Sequence, residues 1–168
     1  MSLPIADEPR TAVEWVQMDD TAIAAVRFEH ATQATLIEAF DGGFGALGAA
    51  AAAGAVQPAG PAVAVYHGDP MGEFDVEVAF PVLEPLAAEA EFAGRVIRPS
   101  TIEGARCAVA THIGGYDGLG AAWGSVVAAV TADGADIPGR WIEVYVTQPG
   151  PDVDPATMRT ELIAPVES

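Results

Sequence analysis

The segment WIEVYV, residues 141–146, combines the side chains best suited to chemistry in this chain. Side chains alternate along a β-strand, so Trp141, Glu143 and Tyr145 would share one face of it. A carboxylate held away from bulk water is costly to keep charged unless it has a partner. Aromatic faces beside it add cation–π attraction of ~0.5–2 kcal/mol each, and they stack on flat ligands. The segment therefore predicts a site for lipophilic, planar and often cationic molecules.

Two plainer interpretations of the same face stay open. Antiparallel sheets commonly leave one face in water, where these three side chains would be ordinary cross-strand neighbours. The face could instead be the contact surface of a homodimer. The local pattern alone does not separate these alternatives from a binding cleft.

Charge is the strongest property of the whole chain. Its 168 residues include 24 Asp and Glu against 7 Lys and Arg, which gives a net charge of −17. Phosphate backbones and anionic membranes attract clustered cations, and the basic residues here do not cluster in the sequence. We therefore predict no direct nucleic-acid partner and no membrane partner. A cationic small molecule, by contrast, would be attracted over long range.

The cysteine content and the apolar runs bear on the compartment. No apolar run approaches the roughly 18 residues that span a bilayer. Cys107 is the single cysteine, so it cannot form an internal disulfide. This suits a reducing compartment, and we predict a cytoplasmic location.

Patterns for cofactors and metals are weak. The stretch GFGALG, residues 43–48, matches a dinucleotide-binding pattern but lies within a helical pattern rather than after a strand. His30, His67 and His112 lack the spacing of metal ligands, although His30 and His112 each end a strand before a helix. We therefore predict no cofactor and no metal.

The chain contains an internal repeat. Three pairs of segments recur in the same order, namely 21–40 with 104–123, 63–70 with 142–149, and 76–82 with 160–166. In the second pair, Val65, Tyr66 and Pro70 recur as Val144, Tyr145 and Pro149. A repeat of this kind predicts two copies of one structural unit. The predicted organisation is a lead-in at 1–11 and one domain at 12–168, with repeat one at 12–83, a connector at 84–93 and repeat two at 94–168.

Each copy has the pattern of a strand, a helix and two further strands. The predicted strands are 12–18, 22–30, 62–67, 74–82, 94–98, 105–113, 140–147 and 159–164. The predicted helices run from Thr32 to Gly54 and from Tyr116 to about Ala132. The apolar residues of the first helix are expected to share one buried face, namely Leu36, Ile37, Phe40, Phe44, Leu47 and Ala51. The first two strands are expected to form a hairpin around Asp19–Asp20. The fold class is α+β, with tandem pseudo-twofold β-α-β-β repeats, a curved antiparallel sheet, two helices on one face and a central ligand cleft.

Alternation assigns side chains to the two faces of this sheet. Ile142, Val144 and Val146 are expected to face the helices, which leaves Glu143 and Tyr145 on the face of the cleft.

The first copy extends this assignment. Tyr66 is expected to reach the cleft from the opposite side. Ala64 occupies the position that corresponds to Glu143, so the acid is not duplicated. Glu77 and Glu161 are expected to line the rim.

Three segments of the second copy carry a resemblance to a known family. HIGGYDGLGAAWGSVVAAVTADG, RWIEVYVTQP and TELIAPV contain a G-x-Y, E-x-Y and T-E-hydrophobic-x-P-V series. In this order they are similar to the GyrI-like small-molecule-binding family, which includes effector-binding domains of bacterial AraC-type and MerR-type multidrug regulators. The resemblance covers nearly the whole chain and implies a tandem β-α-β-β fold with a central aromatic pocket. The G-P-Y usual in the family is G-G-Y here.

The resemblance also implies roles for two residues. The glutamate of E-x-Y, Glu143 here, is the buried acid that meets cationic ligands in such domains. The tyrosine of G-x-Y, Tyr116 here, lines the pocket. This sequence contains no counterpart of the regulators' helix-turn-helix, so we expect a stand-alone domain that takes part in transcription regulation only through others.

Three functions of different classes follow, and we favour the first. A binding module for lipophilic, aromatic, cationic compounds would use Glu143 as countercharge. The other predicted ligand-binding residues are Tyr145, Trp141, Tyr66, Tyr116, Trp123 and Glu161. The helical spacing of Trp123 fits plain core equally well.

The second function is hydrolysis of reactive, electrophilic small molecules. Glu143 would act as general base and Tyr116 or Tyr145 as proton donor. The third is inhibition of DNA gyrase, which the resemblance suggests and which would make a separate protein the partner. Acidic residues suit mimicry of a nucleic acid, but here they are scattered.

Overall fold

The computed structural model describes residues 3–148 and 151–167, and within them the chain forms nine strands and two helices. The strands are β1 (Glu14–Met18), β2 (Thr21–Ala31), β3 (Ala62–Gly68), β4 (Phe74–Pro81), β5 (Ala90–Phe92), β6 (Arg95–Ile102), β7 (Ala105–Ile113), β8 (Arg140–Tyr145) and β9 (Arg159–Pro165). The helices are α1 (Leu36–Ala52) and α2 (Leu119–Ala132), and a 3-10 turn, Tyr116–Gly118, precedes α2. β5 lies inside the predicted connector. The predicted repeat match at Pro149 lies outside the described residues.

The strands form one antiparallel sheet in the order β1-β7-β9-β8-β3-β4-β2-β6-β5. The pairing of β3 with β8 is its centre, where Ala64 lies opposite Glu143 and Tyr66 lies opposite Trp141. On one side follow β4 and β2, and on the other follow β9 and β7, so these strands take equivalent positions about the centre. β1 and β6 are exchanged, since β1 of the predicted repeat one pairs with β7 and β6 of the predicted repeat two pairs with β2. The sheet is curved and open and carries two helices, which confirms the predicted α+β fold class.

The predicted first hairpin is wrong, because β1 and β2 do not pair with each other. β1 pairs with β7, and β2 pairs with β4 and β6. The link Asp19–Asp20 therefore carries the chain from one half of the sheet to the other. It meets the return link at Gly104, whose N–H donates to Asp20 Oδ1 over 2.7 Å. A Cβ at residue 104 would lie 2.4 Å from the carbonyl oxygen of Met18. Two polar residues between strands fit this crossing as well as a turn, so the local pattern does not distinguish the two.

The helices cover the face of the sheet that carries Glu143. Leu162, which α2 covers, lies opposite Glu143 across β8 and β9. Ile142 and Val144 lie instead in a core made by the strands and the N-terminal segment. The expectation that Ile142, Val144 and Val146 face the helices is therefore wrong. Alternation predicts which residues share a face, but a run that is apolar on both faces does not indicate where the helices lie.

Small residues let α1 approach the sheet closely. A Cβ at Gly43 would lie 2.1 Å from Cγ2 of Val78, and Ala46 and Ala50 are fully buried. Ile37, which the helical pattern placed with the buried residues, is 77% exposed. Within the described residues, no helix combines the length and the apolar composition that crossing a membrane requires.

Candidate functional site

Glu143 lies at the centre of the sheet, where the two halves meet. Its neighbours across β3 and β9 are Ala64 and Leu162. The short side chain of Ala64 leaves space above the sheet for larger groups. Glu143 is 6% exposed, because aromatic side chains from both halves fill that space. One carboxylate is thereby held inside the protein, between side chains from the sheet and from α2.

Three neutral groups donate hydrogen bonds to this carboxylate. The hydroxyls of Tyr66 and Tyr145 donate to Oε1 over 3.1 Å and 2.6 Å. The indole N–H of Trp123 donates to Oε2 over 2.8 Å. Each carboxylate oxygen accepts up to two hydrogen bonds, so Oε2, with one donor, accepts one fewer than it can. The carboxylate is well solvated by dipoles, but no group among its donors carries a charge.

Aromatic rings surround this centre. Phe40 and Phe44, one turn apart on α1, meet the ring of Tyr145 with centroids 5.9 Å and 6.4 Å away. Tyr116, in the turn before α2, also contacts Tyr145, with ring centroids 5.8 Å apart. These contacts are edge-to-face, which is a favoured geometry for aromatic pairs. Tyr116 is 42% exposed, so this ring forms the boundary between the cluster and the solvent.

The two tryptophans form a second edge of the cluster. Their ring centroids are 5.2 Å apart, in an edge-to-face contact. The indole of Trp141 donates to the carbonyl oxygen of Gly68 over 3.2 Å, which fixes its orientation. Trp123 thereby connects α2, the carboxylate of Glu143 and the ring of Trp141.

The tyrosine hydroxyls are held in the protonated form. Burial raises the pKa of Tyr145 well above its ordinary value, and the charge of Glu143 raises it further. The same two causes raise the pKa of Tyr66. They also raise the pKa of the more exposed Tyr116. All three phenols are therefore hydrogen-bond donors over the physiological pH range.

Three carboxylates are buried among the described residues, and only Glu143 has no cation beside it. Glu161, which is fully buried, is bound by Arg10 Nη1 at 3.3 Å and by Arg159 Nε at 2.9 Å. Glu77 accepts from His67 and Ser100 at 2.8 Å each and has Arg27 at 3.8 Å. Burial alone would raise the pKa of Glu77, but those hydrogen bonds and charges outweigh it and hold the pKa below its ordinary value.

Glu77 and Glu161 do not line the site. Glu161 lies opposite Val144, and Glu77 lies opposite Val65, so both carboxylates are on the face of the sheet away from Glu143. The expectation that they line the rim of the cleft is therefore wrong. The assignment followed from placing the helices on the wrong face. Glu161 instead anchors the N-terminal segment, since Arg159 also donates to the carbonyl oxygen of Ala6.

The histidines are engaged locally. His30 contacts Glu73 through Nδ1 at 2.6 Å, and His112 Nε2 lies 2.8 Å from the carbonyl oxygen of Gly115. Among residues 3–148 and 151–167, no cluster of three His, Cys, Asp or Glu side chains has the arrangement of a metal site.

Two surface cavities lie near the aromatic cluster or on the opposite face of the sheet, and neither reaches Glu143. One, of about 170 Å³, lies at the end of α2 and has Trp141 and Val127 in its wall. The other, of about 350 Å³, lies on the opposite face of the sheet near Glu77 and Arg140. Neither is lined by Glu143, whose surroundings are filled by its own rings.

The family follows from comparison with known proteins. A sequence profile described as a GyrI-like small-molecule-binding domain matches residues 11–167. The chain belongs to this family. Comparison with curated proteins gives no match.

Solved structures share the fold of this GyrI-like domain. The C-terminal domain of EcmrR superposes with a TM-score of 0.71 at 18% identity, covering 92% of this chain and 96% of that one. SAV2435, solved with tetraphenylphosphonium bound, gives 0.64 at 14% identity, with 94% of each chain covered. A hydrolase from Listeria innocua gives 0.63 at 13% identity, covering 96% and 94%. At these identities the likeness concerns the fold alone.

The sequence does not identify Phe40 and Phe44 as residues that pack on Tyr145 in this GyrI-like domain. Their spacing of four residues on α1 is typical of any buried helix face. The missing signal was the face of the sheet on which α1 lies. Once α1 is placed over Tyr145, the same spacing puts both rings against it.

Proposed function

We propose that this GyrI-like domain binds lipophilic, aromatic cations, with Glu143 as the countercharge, in multidrug-type sensing or sequestration. One observation carries the proposal. Glu143 is buried without a cation beside it among the described residues, whereas the other two buried carboxylates each have an arginine. A buried carboxylate without a cation is costly, and a ligand cation would remove that cost.

The surroundings of Glu143 favour a flat, aromatic ligand. The neighbouring rings offer cation–π attraction of ~0.5–2 kcal/mol each and surfaces for stacking. The free position on Oε2 suits an N–H of the ligand. The net charge of −17 would also concentrate cations around the protein.

Binding requires space that the rings now fill. Tyr116 is the exposed ring of the cluster and lies on a short turn between two glycines, Gly115 and Gly118. We propose that this ring turns outward and that the ligand takes its place against Tyr145. The bound form of SAV2435 supports the ligand class, since tetraphenylphosphonium is a lipophilic, aromatic cation.

The test uses two probes of one shape, 10-methylacridinium and acridine, titrated by fluorescence at a pH where acridine is neutral. Glu143→Gln should weaken the cation by about 10–100-fold, as expected for loss of a charged interaction, and change acridine by less than about threefold. Glu38→Gln, which removes an exposed charge on α1, is the matched control and should leave both affinities unchanged. Equal losses for the two probes in Glu143→Gln would reject the countercharge role.

A second candidate function is hydrolysis of reactive electrophiles, with Glu143 as general base. The short contact of 2.6 Å between Tyr145 and Glu143 favours it, because it places a proton donor beside the base. The fold shared with a Listeria innocua hydrolase is consistent with it.

Chromatography of an electrophilic aromatic substrate after incubation separates the two functions. Catalysis would give product over many turnovers, and Glu143→Gln and Tyr145→Phe would abolish it. Stoichiometric binding of an intact compound would reject catalysis and leave the binding function in place.

A further inference from the structure

Thr160 on β9 carries a buried hydroxyl without a hydrogen-bond partner among the described residues. The residue is 1% exposed. It lies opposite Tyr145 on β8 and opposite His112 on β7, so it is on the same face of the sheet as Glu143. Buried hydroxyls are nearly always paired, because leaving one unpaired costs free energy. This hydroxyl therefore needs an explanation.

The other half of the sheet shows that the fold does not need it. The residue that corresponds to Thr160 is Val76, which lies opposite Tyr66 in the same way that Thr160 lies opposite Tyr145. Val76 is fully buried and packs with Tyr66. Valine has the shape of threonine without the hydroxyl, so the same position packs well as a hydrocarbon. The polar atom is present only in the half that also carries Glu143.

The position of Thr160 relative to Glu143 suits a single ligand. The two residues are diagonal neighbours on paired strands, which places them about 7–8 Å apart. A planar cation of three fused rings spans this distance. Tyr145 lies between them in the register, and its ring is the surface that the outward turn of Tyr116 would uncover.

We propose that the Thr160 hydroxyl is a second polar subsite of the groove. It would hydrogen-bond a polar substituent, such as a ring amino group, on an aromatic cation whose charge lies at Glu143. This inference rests on the proposed binding function and adds to it the substituent that the ligand carries.

The test compares two cations that differ only in that substituent, 10-methylacridinium and 3,6-diamino-10-methylacridinium. Thr160→Val should lower the affinity for the diamino compound by about tenfold, as for one lost hydrogen bond, and leave that for 10-methylacridinium unchanged. Thr160→Ser keeps the hydroxyl and should retain the preference for the diamino compound. Equal effects on both cations in Thr160→Val, or no effect on either, would overturn the subsite.

Failure of the subsite and failure of the binding function give different results. If Glu143 is the countercharge but Thr160 is not a contact, Glu143→Gln weakens both cations and Thr160→Val weakens neither. If the binding function is wrong, the unaltered protein binds neither cation, or Glu143→Gln has no effect.

Thermal unfolding without ligand gives a second, independent readout. Thr160→Val should raise Tm by about 2–4 °C, because it removes an unpaired polar group. Val76→Thr, the matched control in the other half, should lower Tm by a similar amount. A lower Tm in Thr160→Val would show that the hydroxyl has a partner within the folded protein and would contradict the proposal.

Discussion

Glu143 and Glu161 are two buried carboxylates on adjacent strands and on opposite faces of one sheet. Glu161 accepts from two arginines and from the hydroxyl of Thr111, so its charge is neutralised within the protein. Glu143 accepts only from two phenols and an indole. Glu161 therefore has a structural role, because it joins the N-terminal segment to the sheet. Glu143 has no such partner among the described residues, and in the proposed function a ligand cation takes that place.

The largest expected difference between Glu161 and Glu143 is in how much each contributes to the free energy of unfolding. Glu161→Gln should lower the free energy of unfolding by ~3–5 kcal/mol, because it leaves the largely buried guanidinium of Arg159 without a countercharge and leaves Arg10 with only the exposed Glu14. Glu143→Gln should cost less, ~1–3 kcal/mol, since the amide oxygen still accepts from the phenols and no cation loses its partner, although the indole of Trp123 loses its acceptor. Urea denaturation measures both. Glu14→Gln, which affects only an exposed pair with Arg10, is the control and should stay within ~0.5 kcal/mol. Equal losses of unfolding free energy in Glu143→Gln and Glu161→Gln would show that the two carboxylates do not differ in their structural role.

A double-mutant cycle between Trp123 and Glu143 measures how much their hydrogen bond contributes to stability. Trp123→Phe should cost ~1.5–3 kcal/mol in the unaltered protein, because Oε2 of Glu143 loses a hydrogen bond to a charged group.

In the Glu143→Gln background, Trp123→Phe should cost clearly less. There the amide N–H₂ of residue 143 faces the indole N–H, and two donors make no hydrogen bond that the substitution could remove. The urea midpoints of the four proteins give the coupling energy. Purely additive effects would mean that Trp123 stabilises the domain through packing alone.

The dependence of stability on alkaline pH is the smallest expected effect. Burial and the charge of Glu143 raise the pKa of Tyr145 and Tyr66 in the folded state above the ordinary value near 10. The unfolded chain then loses these protons first, so stability is full below about pH 10 and declines as pH rises toward the folded pKa values.

Tyr145→Phe should make this decline shallower in urea titrations between about pH 8 and 11. Tyr116→Phe, at the exposed ring, should change the slope less. An unchanged slope in Tyr145→Phe would mean that this phenol does not titrate differently in the two states.

The sequence predicts much of this architecture and less of the site. Periodicity and turn residues predict nearly all strands and both helices, and the E-x-Y spacing predicts that Glu143 and Tyr145 share a face. Which strands pair with each other is harder to predict from the sequence, because Asp19–Asp20 fits a link that crosses the sheet as well as a hairpin turn. The face covered by the helices could not be predicted, because Ile142 and Val144 on one side and Leu162 on the other are equally buried.

The same ambiguity explains the errors at individual residues. Placing the helices on the wrong face put Glu161 at the rim and left Phe40 and Phe44 out. The pairing of a carboxylate with its cation depends on tertiary structure as well. Arg10 reaches Glu161 across 151 positions of the chain, and no local pattern indicates that contact.

Calorimetric titration of tetraphenylphosphonium tests the central claim most directly, since this cation has no group that donates or accepts hydrogen bonds. The unaltered protein should bind it, Glu38→Gln should retain the affinity, and Glu143→Gln should reduce the affinity by about tenfold or more. Unchanged binding in Glu143→Gln would contradict the proposed role of Glu143 as the countercharge of the bound cation.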